Sequence, residues 1–371
     1  MQFIKDVFIN TFESAIRIIL MFLNYILIST LPPEQVNLYA YYVAISSLLY
    51  IPIFVYLSKL WKEVNKDISL TFPIHITILI FSILLGLICA TIFNKYFIEV
   101  FISFVSWGIF SGSGIFYFVN HPKRLYISLI PYTSRIIFLL LVFYMNLLDI
   151  RMLFLSSVVL VVLYVLIIFR LNIDFKFGII LPQLNLNNIE ITIETILATI
   201  RNSLDQIVLN LSNLPPTLLK SYNISVNPSR VALESTSGGI SNVIIKYFLN
   251  NQFGILKLFI LILWNVFVSF IVIVPILIYT IIFYKENLYL ILIFYPWLIL
   301  HSSYIQIRKY IILNQKYMEA LILEFIGILI FFIGALFNSI EYLAAFFLLS
   351  NLIPIIIYIY INRSIFKFYI H

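Results

Sequence analysis

The chain has 371 residues, of which 63% are hydrophobic and only 11% are charged, and its mean hydropathy is +1.07. A soluble globular domain carries about 25% charged residues, so the composition excludes that class and indicates an integral membrane protein. The net charge of +7 is explained by membrane topology and predicts no nucleic-acid ligand, and the single cysteine, Cys89, excludes a disulfide framework and a thiolate metal site.

A window of about 19 residues predicts roughly twelve spanning helices. They lie near residues 7–30, 36–58, 70–93, 97–119, 125–147, 151–170, 191–211, 217–249, 254–284, 288–307, 317–337 and 341–361. The first segment is too long for a signal-peptide core, so we expect it to be retained. The seventh and eighth segments are unusually polar. They are either an interfacial amphipathic pair or helices whose polar faces lie inside a bundle.

A short phrase occurs twice, about half a chain apart. Leu31–Pro33 and Leu214–Pro216 have the same sequence at an offset of 183 residues, and a tyrosine follows each after five residues. An arginine lies upstream of each copy, at Arg17 and Arg201, at an offset of 184 residues. This pattern predicts a duplicated half-chain, in which the seventh and eighth segments correspond to the first and second.

The distribution of basic residues supports twelve crossings with both termini in the cytoplasm. Fifteen of the 23 basic residues then lie on the inner side: Lys5, Lys59, Lys62, Lys66, Lys123, Arg124, Arg170, Lys176, Lys246, Lys257, Arg308, Lys309, Lys316, Arg363 and Lys367. Only four lie in outer loops and four within spans. This is the bias of the positive-inside rule, and removing either polar helix would invert every later loop.

We therefore predict an all-α integral membrane protein of the cytoplasmic (inner) membrane, with about twelve transmembrane helices in two pseudo-symmetric six-helix lobes. The N-terminal lobe is assigned to residues 1–170 and the C-terminal lobe to residues 191–371. A cytoplasmic linker, residues 171–190, joins them. Because both lobes start from the same side, the repeat is parallel, with its axis along the membrane normal.

Acidic and basic residues are paired within the polar segments. Three pairs have i, i+4 spacing, which places both members on one helical face: Glu13 with Arg17, Arg201 with Asp205, and Arg230 with Glu234. Arg135 has no such partner on its own segment. An ionisable group at membrane depth costs at least about 2.5 kcal/mol. A single pair could simply neutralise itself for insertion, but three pairs favour a polar central cavity.

Arginine keeps its charge in poorly hydrated sites, and its planar guanidinium suits bidentate binding of phosphate. We predict that Arg17, Arg201, Arg230 and Arg135 bind an anionic head group. Glu13, Asp205 and Glu234 are predicted to hold the arginines in place or to respond to H⁺ or Na⁺; no other cofactor and no metal is predicted. His301, Glu319 and Glu324 are further candidates for a proton relay, although a histidine beside two serines is more often only hydrogen-bonded.

Catalysis has little support in the sequence. It contains no phosphate-binding glycine loop, no Gly-x-Ser-x-Gly elbow and no histidine, cysteine and aspartate cluster with metal-ligand spacing. The longest hydrophilic stretch, from about Leu171 to Glu190, is too short for a catalytic domain. We expect a protein that is not an enzyme.

Residues 8–66 resemble the first two helices of polysaccharide flippases of the O-antigen transporter type, in the multidrug/oligosaccharidyl-lipid/polysaccharide exporter superfamily. The family phrase of leucine, proline and a following tyrosine is matched by Leu31, Pro32 and Tyr39. Residues 201–206 resemble the start of that family's second half, and residues 308–324 its tenth-to-eleventh helix connection. The resemblance implies alternating access and transfer of an undecaprenyl-pyrophosphate-linked oligosaccharide across the membrane for surface polysaccharide synthesis.

The partners implied are this lipid-linked anionic glycan, membrane lipids, and a polysaccharide polymerase or glycosyltransferases. Three alternatives remain open. A drug or metabolite exporter of the same fold would favour unpaired carboxylates in its cavity. A membrane enzyme acting on lipid-linked sugars would require a larger outer loop, and a scaffold or degenerate transporter fits the same sequence.

Overall fold

The computed structural model describes residues 16, 18–53, 71–113, 124–170, 189–212, 214–249, 255–313, 316–337 and 339–361. Regular structure within these ranges is helical. The twelve long helices there are α1 (Ile18–Ser29), α2 (Pro33–Leu49), α3 (Thr71–Ile92), α4 (Phe97–Ser111), α5 (Arg124–Tyr144), α6 (Ile150–Arg170), α7 (Ile189–Leu211), α8 (Pro216–Leu249), α9 (Ile255–Phe283), α10 (Leu288–Leu313), α11 (Tyr317–Ala335) and α12 (Ile340–Ile361).

Each of the twelve predicted segments overlaps one of these helices, and the predicted all-α membrane fold is confirmed. In the described part of the chain, seven helices are long and apolar enough to cross a membrane: α3, α5, α6, α9, α10, α11 and α12. The described part of α1 is apolar but shorter. Helices α7 and α8 are not among these seven, because their charged residues make them too polar.

The repeated Leu-Pro-Pro phrase marks the start of a helix in each half. Pro33 is the first residue of α2, and Pro216 is the first residue of α8. Proline is favoured in the first turn because its fixed φ suits the helix and its missing N–H would have had no helical acceptor there. The phrase is therefore a helix-start signal that occurs at the same place in both halves.

The chain divides into two compact units, residues 26–199 and residues 1–25 with 200–371. In the first unit α2 packs on α3, α3 on α4, α4 on α6, and α5 on α6. In the second unit the helices six places later pair in the same way: α8 on α9, α9 on α10, α10 on α12, and α11 on α12. This correspondence is what a duplicated half-chain would produce. The lobe boundaries at residues 170 and 191 stay a prediction.

Aromatic side chains fill the centre of the second unit. Phe294 and Trp297 of α10 pack against Phe331 of α11 and Phe347 of α12, with ring centroids between 4.4 and 6.5 Å apart. These four side chains are almost completely buried. Rigid aromatic packing of this kind fixes the mutual positions of α10, α11 and α12. The polar groups described below are attached to this framework.

Candidate functional site

A chain of charged and polar side chains runs through the second unit and joins five of its helices. We call it the buried charge network. Its members are Arg201 and Asp205 of α7, Tyr222, Asn227, Arg230 and Glu234 of α8, His301, Tyr304 and Arg308 of α10, Glu324 of α11, and Asn351 of α12.

Arg201 is almost completely enclosed, with 2% of its surface exposed. Its Nη1 donates to Glu324 Oε2 at 3.0 Å, and its Nη2 donates to the Ser350 carbonyl and to Asn351 Oδ1, both at 2.6 Å. The guanidinium carbon lies 4.0 Å from the centre of the Tyr304 ring. Burying a guanidinium is tolerated only with such pairing, so these contacts fix α7 against α11 and α12.

Two backbone features make room for this arginine. Pro354 lies inside α12 and has no N–H, so the carbonyl four residues earlier, on Ser350, lacks its helical donor. Arg201 donates to that carbonyl. On α11, a Cβ atom at Gly327 would lie 2.7 Å from the Arg201 guanidinium carbon, which is closer than atoms can approach. A proline and a glycine therefore create the binding site for Arg201.

Glu324 is shared by two arginines. Its Oε2 accepts from Arg201, and its Oε1 lies 3.1 Å from Nε of Arg308 on α10. The carboxylate side chain is 1% exposed, whereas that of Arg308 is 14% exposed. One carboxylate thus links α7, α10 and α11, and it carries the negative charge that compensates Arg201 in the interior.

Arg230 forms a second group of contacts on α8. Its Nη1 donates to the Asp205 carboxylate and, at 2.6 Å, to the Asn202 carbonyl of α7. Its Nη2 donates to Asn227 Oδ1 at 3.0 Å. The other Asp205 oxygen accepts from the hydroxyl of Tyr222 at 2.8 Å. Because Asp205 and Asn202 belong to α7, these bonds fasten α8 to α7.

His301 connects the two groups of contacts. Its Nε2 lies 3.2 Å from Glu234 Oε1, and Glu234 Oε1 lies 3.7 Å from Arg230 Nε. Its Nδ1 lies 3.4 Å from Asn351 Oδ1, the same oxygen that accepts from Arg201. The imidazole also packs on Trp297, with ring centroids 5.7 Å apart. The connections are therefore continuous from Arg308 to Tyr222.

Arg201 and Asp205 share a face of α7 by their i, i+4 spacing, but they do not form an ion pair with each other. Each residue has its ion partner on a different helix, Glu324 for Arg201 and Arg230 for Asp205. The cause is burial: a charge inside a bundle is stabilised by the group that the neighbouring helix brings opposite it. The predicted pair of Arg230 and Glu234 does lie within ion-pair distance.

The remaining predicted residues lie elsewhere. Glu13 and Arg17 fall outside the described residues. Arg135 of α5 is in the first unit and is 1% exposed. Its Nε donates to Ser156 Oγ at 2.9 Å and its Nη2 to the Tyr39 hydroxyl at 3.4 Å, and the guanidinium lies 5.4 Å from the centre of the Trp107 ring. A serine, a tyrosine and an indole are thus among its contacts.

The tyrosines that follow the repeated phrase have related roles. Tyr39 contacts the buried Arg135 of its unit, and Tyr222 contacts the buried Asp205 of the other unit. Each tyrosine lies in the second turn of the helix that its phrase begins. The sequence repeat therefore extends to a hydroxyl that contacts a buried charge in each half.

Cations outnumber anions among the buried charged residues. In the described ranges three arginines and two carboxylates are at least nine-tenths buried: Arg135, Arg201, Arg230, Asp205 and Glu324. Adding the partly buried Arg308 and Glu234 leaves the excess of one positive charge unchanged. The buried charged residues in the described part of the chain therefore sum to +1, and Arg135 accounts for this excess.

Comparison with known proteins identifies the fold of the chain. No protein-family model matches the chain, and no curated protein matches its sequence. A multidrug resistance MATE family transporter of the MOP superfamily, in an outward-facing conformation, is similar in structure, with a TM-score of 0.64 and 12% identity over 98% of this chain and 95% of that one. A Vibrio cholerae MATE transporter gives a TM-score of 0.61 and 11% identity over 98% of each chain.

A third solved structure is a MOP superfamily transporter from Pyrococcus furiosus. It gives a TM-score of 0.57 and 11% identity over 98% of this chain and 95% of that one, and its binding pocket is described as having reversed polarity, which suggests a different function. Identities this low establish architecture alone. The chain is a multi-pass membrane protein with the fold of MATE/MOP superfamily transporters.

Proposed function

We propose that the chain is a transporter that moves a lipid-linked anionic oligosaccharide, of the undecaprenyl-pyrophosphate type, across the cytoplasmic membrane by alternating access between two six-helix lobes. The transporter fold and the excess of buried positive charge support this proposal. The fold supports transport, and the charge favours a cargo with a phosphate-containing head group over a cationic one.

The excess of positive charge among the buried residues of the described ranges is the observation that carries the choice of cargo, and Arg135 contributes to it. The contacts of this arginine include two hydroxyl groups and a ring, those of Ser156, Tyr39 and Trp107. A serine or tyrosine hydroxyl can be exchanged for a phosphate oxygen with a gain, because hydrogen bonds between charged groups are about twice as strong as neutral ones. An incoming pyrophosphate would therefore attract this guanidinium when the lobe opens.

The other predicted arginines have different parts in this proposal. Arg201 is already bound by a carboxylate, a carbonyl and an amide, which makes it an anchor for α7. Arg230 is also paired, but it lies beside the more exposed Glu234, so it is the better second contact for a head group. Arg17 corresponds to Arg201 in the sequence repeat, and its proposed contact with the head group rests on that repeat alone.

A drug exporter is the second candidate. One similar structure is a multidrug resistance transporter, and the three network carboxylates Asp205, Glu234 and Glu324 offer acceptors for a cation. In that case a cationic drug would compete with arginines for these oxygens. The two candidates therefore predict opposite charges on the transported molecule.

The test is transport by the purified full-length protein in proteoliposomes. One set contains undecaprenyl-pyrophosphate linked to a fluorescently labelled oligosaccharide, and the loss of fluorescence to an impermeant quencher measures flipping. A second set is loaded with ethidium and reports efflux of a cationic drug. We expect flipping of the lipid-linked glycan without ethidium efflux.

Arg135→Gln tests the proposed contact. We expect it to slow glycolipid flipping by roughly 10- to 100-fold, the loss of about 1.5–3 kcal/mol for a hydrogen bond to a charged group, and Arg135→Lys to retain part of the rate. The matched control is Arg151→Gln. This side chain lies at the start of α6, is 58% exposed and pairs with Glu99 of α4. Ethidium efflux without glycolipid flipping would overturn the proposed cargo, and an unchanged rate for Arg135→Gln would remove Arg135 from the site.

A further inference from the structure

Both ring nitrogens of His301 face hydrogen-bond acceptors. Nε2 faces the carboxylate oxygen Oε1 of Glu234 at 3.2 Å, and Nδ1 faces the amide oxygen of Asn351 at 3.4 Å. A neutral imidazole has one N–H donor and one lone pair, so it can satisfy only one of these acceptors. The imidazolium has two donors and can satisfy both.

The orientation of the Asn351 amide decides the argument, because a flipped amide would present a donor to Nδ1. Two neighbours fix it. Nη2 of Arg201, which can only donate, lies 2.6 Å from Asn351 Oδ1, and the amide nitrogen of Asn351 donates to the Phe347 carbonyl at 3.3 Å. A flipped amide would place its NH₂ group against the arginine. The oxygen must therefore face both Arg201 and His301.

We infer that His301 is a proton-binding site whose imidazolium fastens α8 to α12, through Glu234 on one side and Asn351 on the other. The inference concerns a proton as ligand and is independent of the cargo proposed above. His301 is only 4% exposed, and the partly exposed carboxylate of Glu234, at 25%, is the group through which a proton reaches it.

Charged groups lie on both sides of the imidazole. From α8, Glu234 contacts the imidazole directly, and Arg230 follows behind Glu234 with its own partner Asp205 of α7. Two carboxylates and one arginine give that side a charge of −1, which the imidazolium cancels.

The other side of the site carries Arg201, Glu324 and Arg308, with a net charge of +1. From α12 comes the neutral Asn351. From α11, Glu324 is separated from His301 by Arg201 and is also held by Arg308 of α10. From α9, the amide of Asn265 contacts the adjacent Ser302. On α10 itself, the Trp297 ring packs on the imidazole and favours a cation over its face.

Loss of the proton removes one of the two bonds and leaves a lone pair facing an oxygen. Either the contact with Glu234 of α8 or the contact with Asn351 of α12 is then lost, while the aromatic packing of α10 on α12 remains. The α8–α12 link therefore requires the imidazolium, because the neutral ring cannot donate to both oxygens.

Nitrogen NMR of the ring reports the proton directly. The full-length protein, labelled with ¹⁵N at histidine and placed in nanodiscs, is compared with His301→Gln to assign the signal. We expect both His301 nitrogens to have imidazolium shifts at pH 6 and one to change at higher pH. A neutral His301 ring at pH 6 would overturn the inference.

A distance measurement tests the mechanical consequence. Spin labels are placed on the faces of α8 and α12 that point away from the buried charge network. The distance between them is measured by double electron–electron resonance between pH 5.5 and pH 9, with no substrate present. We expect the distance distribution to broaden or shift with rising pH in the natural protein. His301→Gln should lose this pH response, and His301→Lys, which keeps its charge, should hold the low-pH distribution over most of the range.

The matched control is His75→Gln, because His75 belongs to the other unit and contacts Tyr164 there. It should leave the α8–α12 response unchanged. An identical pH response in His301→Gln and the natural protein would refute the inferred link. Since neither experiment uses a transported molecule, its result stands apart from the outcome of the cargo assay.

Discussion

At the scale of single residues, Gly327 decides whether Arg201 can be buried. The arginine lies against the α11 backbone at this glycine, and any side chain there would meet the guanidinium at 2.7 Å. Glycine in a helix interior costs about 0.8–1 kcal/mol relative to alanine. Its presence in α11 is thus a local cost, which the contacts of Arg201 with Glu324 and Asn351 offset.

We predict that Gly327→Ala destabilises the protein although alanine is the better helix former. The new methyl group displaces Arg201 from Glu324, and disturbing a buried ion pair outweighs the propensity gain, so we expect a net loss of about 1–3 kcal/mol. Thermal unfolding in detergent measures it. The control is Gly86→Ala in α3, where a Cβ would meet side chains of Phe101 and Phe104 at 3.3 Å, a contact those side chains can relieve. Equal melting temperatures for the two variants would contradict the prediction.

The residues of the network could be predicted from the sequence better than their contacts. Arg201, Asp205, Arg230 and Glu234 stand out because charges are rare in an apolar chain. The pairing of Arg201 with Glu324 does not, although Glu324 is itself among the candidates for a proton relay, because Glu324 lies 123 residues away and i, i+4 spacing describes one helix only. A signal for Glu324 existed in its isolated position within an apolar segment, three residues before Gly327. Only the packing of α11 on α12 turns that position towards Arg201.

At the scale of helices, prolines inside the spans create acceptors for neighbouring elements. Pro354 frees the Ser350 carbonyl, to which Arg201 donates. Pro228 in α8 similarly frees the Ile224 carbonyl, to which the Tyr279 hydroxyl of α9 donates at 3.4 Å. The sequence shows Pro354 inside an apolar span, where a proline bends a helix. It could not identify the donor, because that donor belongs to another helix.

A double-mutant cycle tests this role of Pro354. Pro354→Ala restores an N–H that competes with Arg201 for the Ser350 carbonyl, so its benefit to the helix is partly cancelled while the arginine is present. In an Arg201→Met background the cancellation disappears. We expect Pro354→Ala to be more stabilising there by about 1–2 kcal/mol, measured by denaturant unfolding in detergent. Additive effects would show that the proline and the arginine act independently.

The positions of the helices were the most predictable feature. Apolar segments of about 20 residues have few alternatives in a membrane, because every backbone polar group must be satisfied within the segment. The polar helices α7 and α8 needed the repeat as a second argument, since their composition also suits an interfacial location. The repeated phrase then proved to be a helix start in both halves, which is a local property that proline determines.

At the scale of the whole molecule, the two units pair their helices in the same order, which is consistent with gene duplication and with the parallel repeat predicted from charge. Neither observation determines how many times the chain crosses the membrane. If α7 and α8 both cross, the loop between them lies on the same side as the loops before α6 and after α11. If both lie flat, it lies on the opposite side.

We predict that both polar helices cross. Cys89 is the one cysteine in the sequence and is buried, so Cys89→Ala gives a background for labelling. Single cysteines at the exposed positions Met145, Thr217 and Leu336 should all react with an impermeant maleimide added from the outside, and one at Asn251 should react only after the membrane is opened. Labelling of Met145 and Leu336 but not of Thr217 would mean that α7 and α8 lie on the inner surface. The buried arginines would then face the head groups of the inner leaflet, and the transport pathway proposed through them would have to be abandoned.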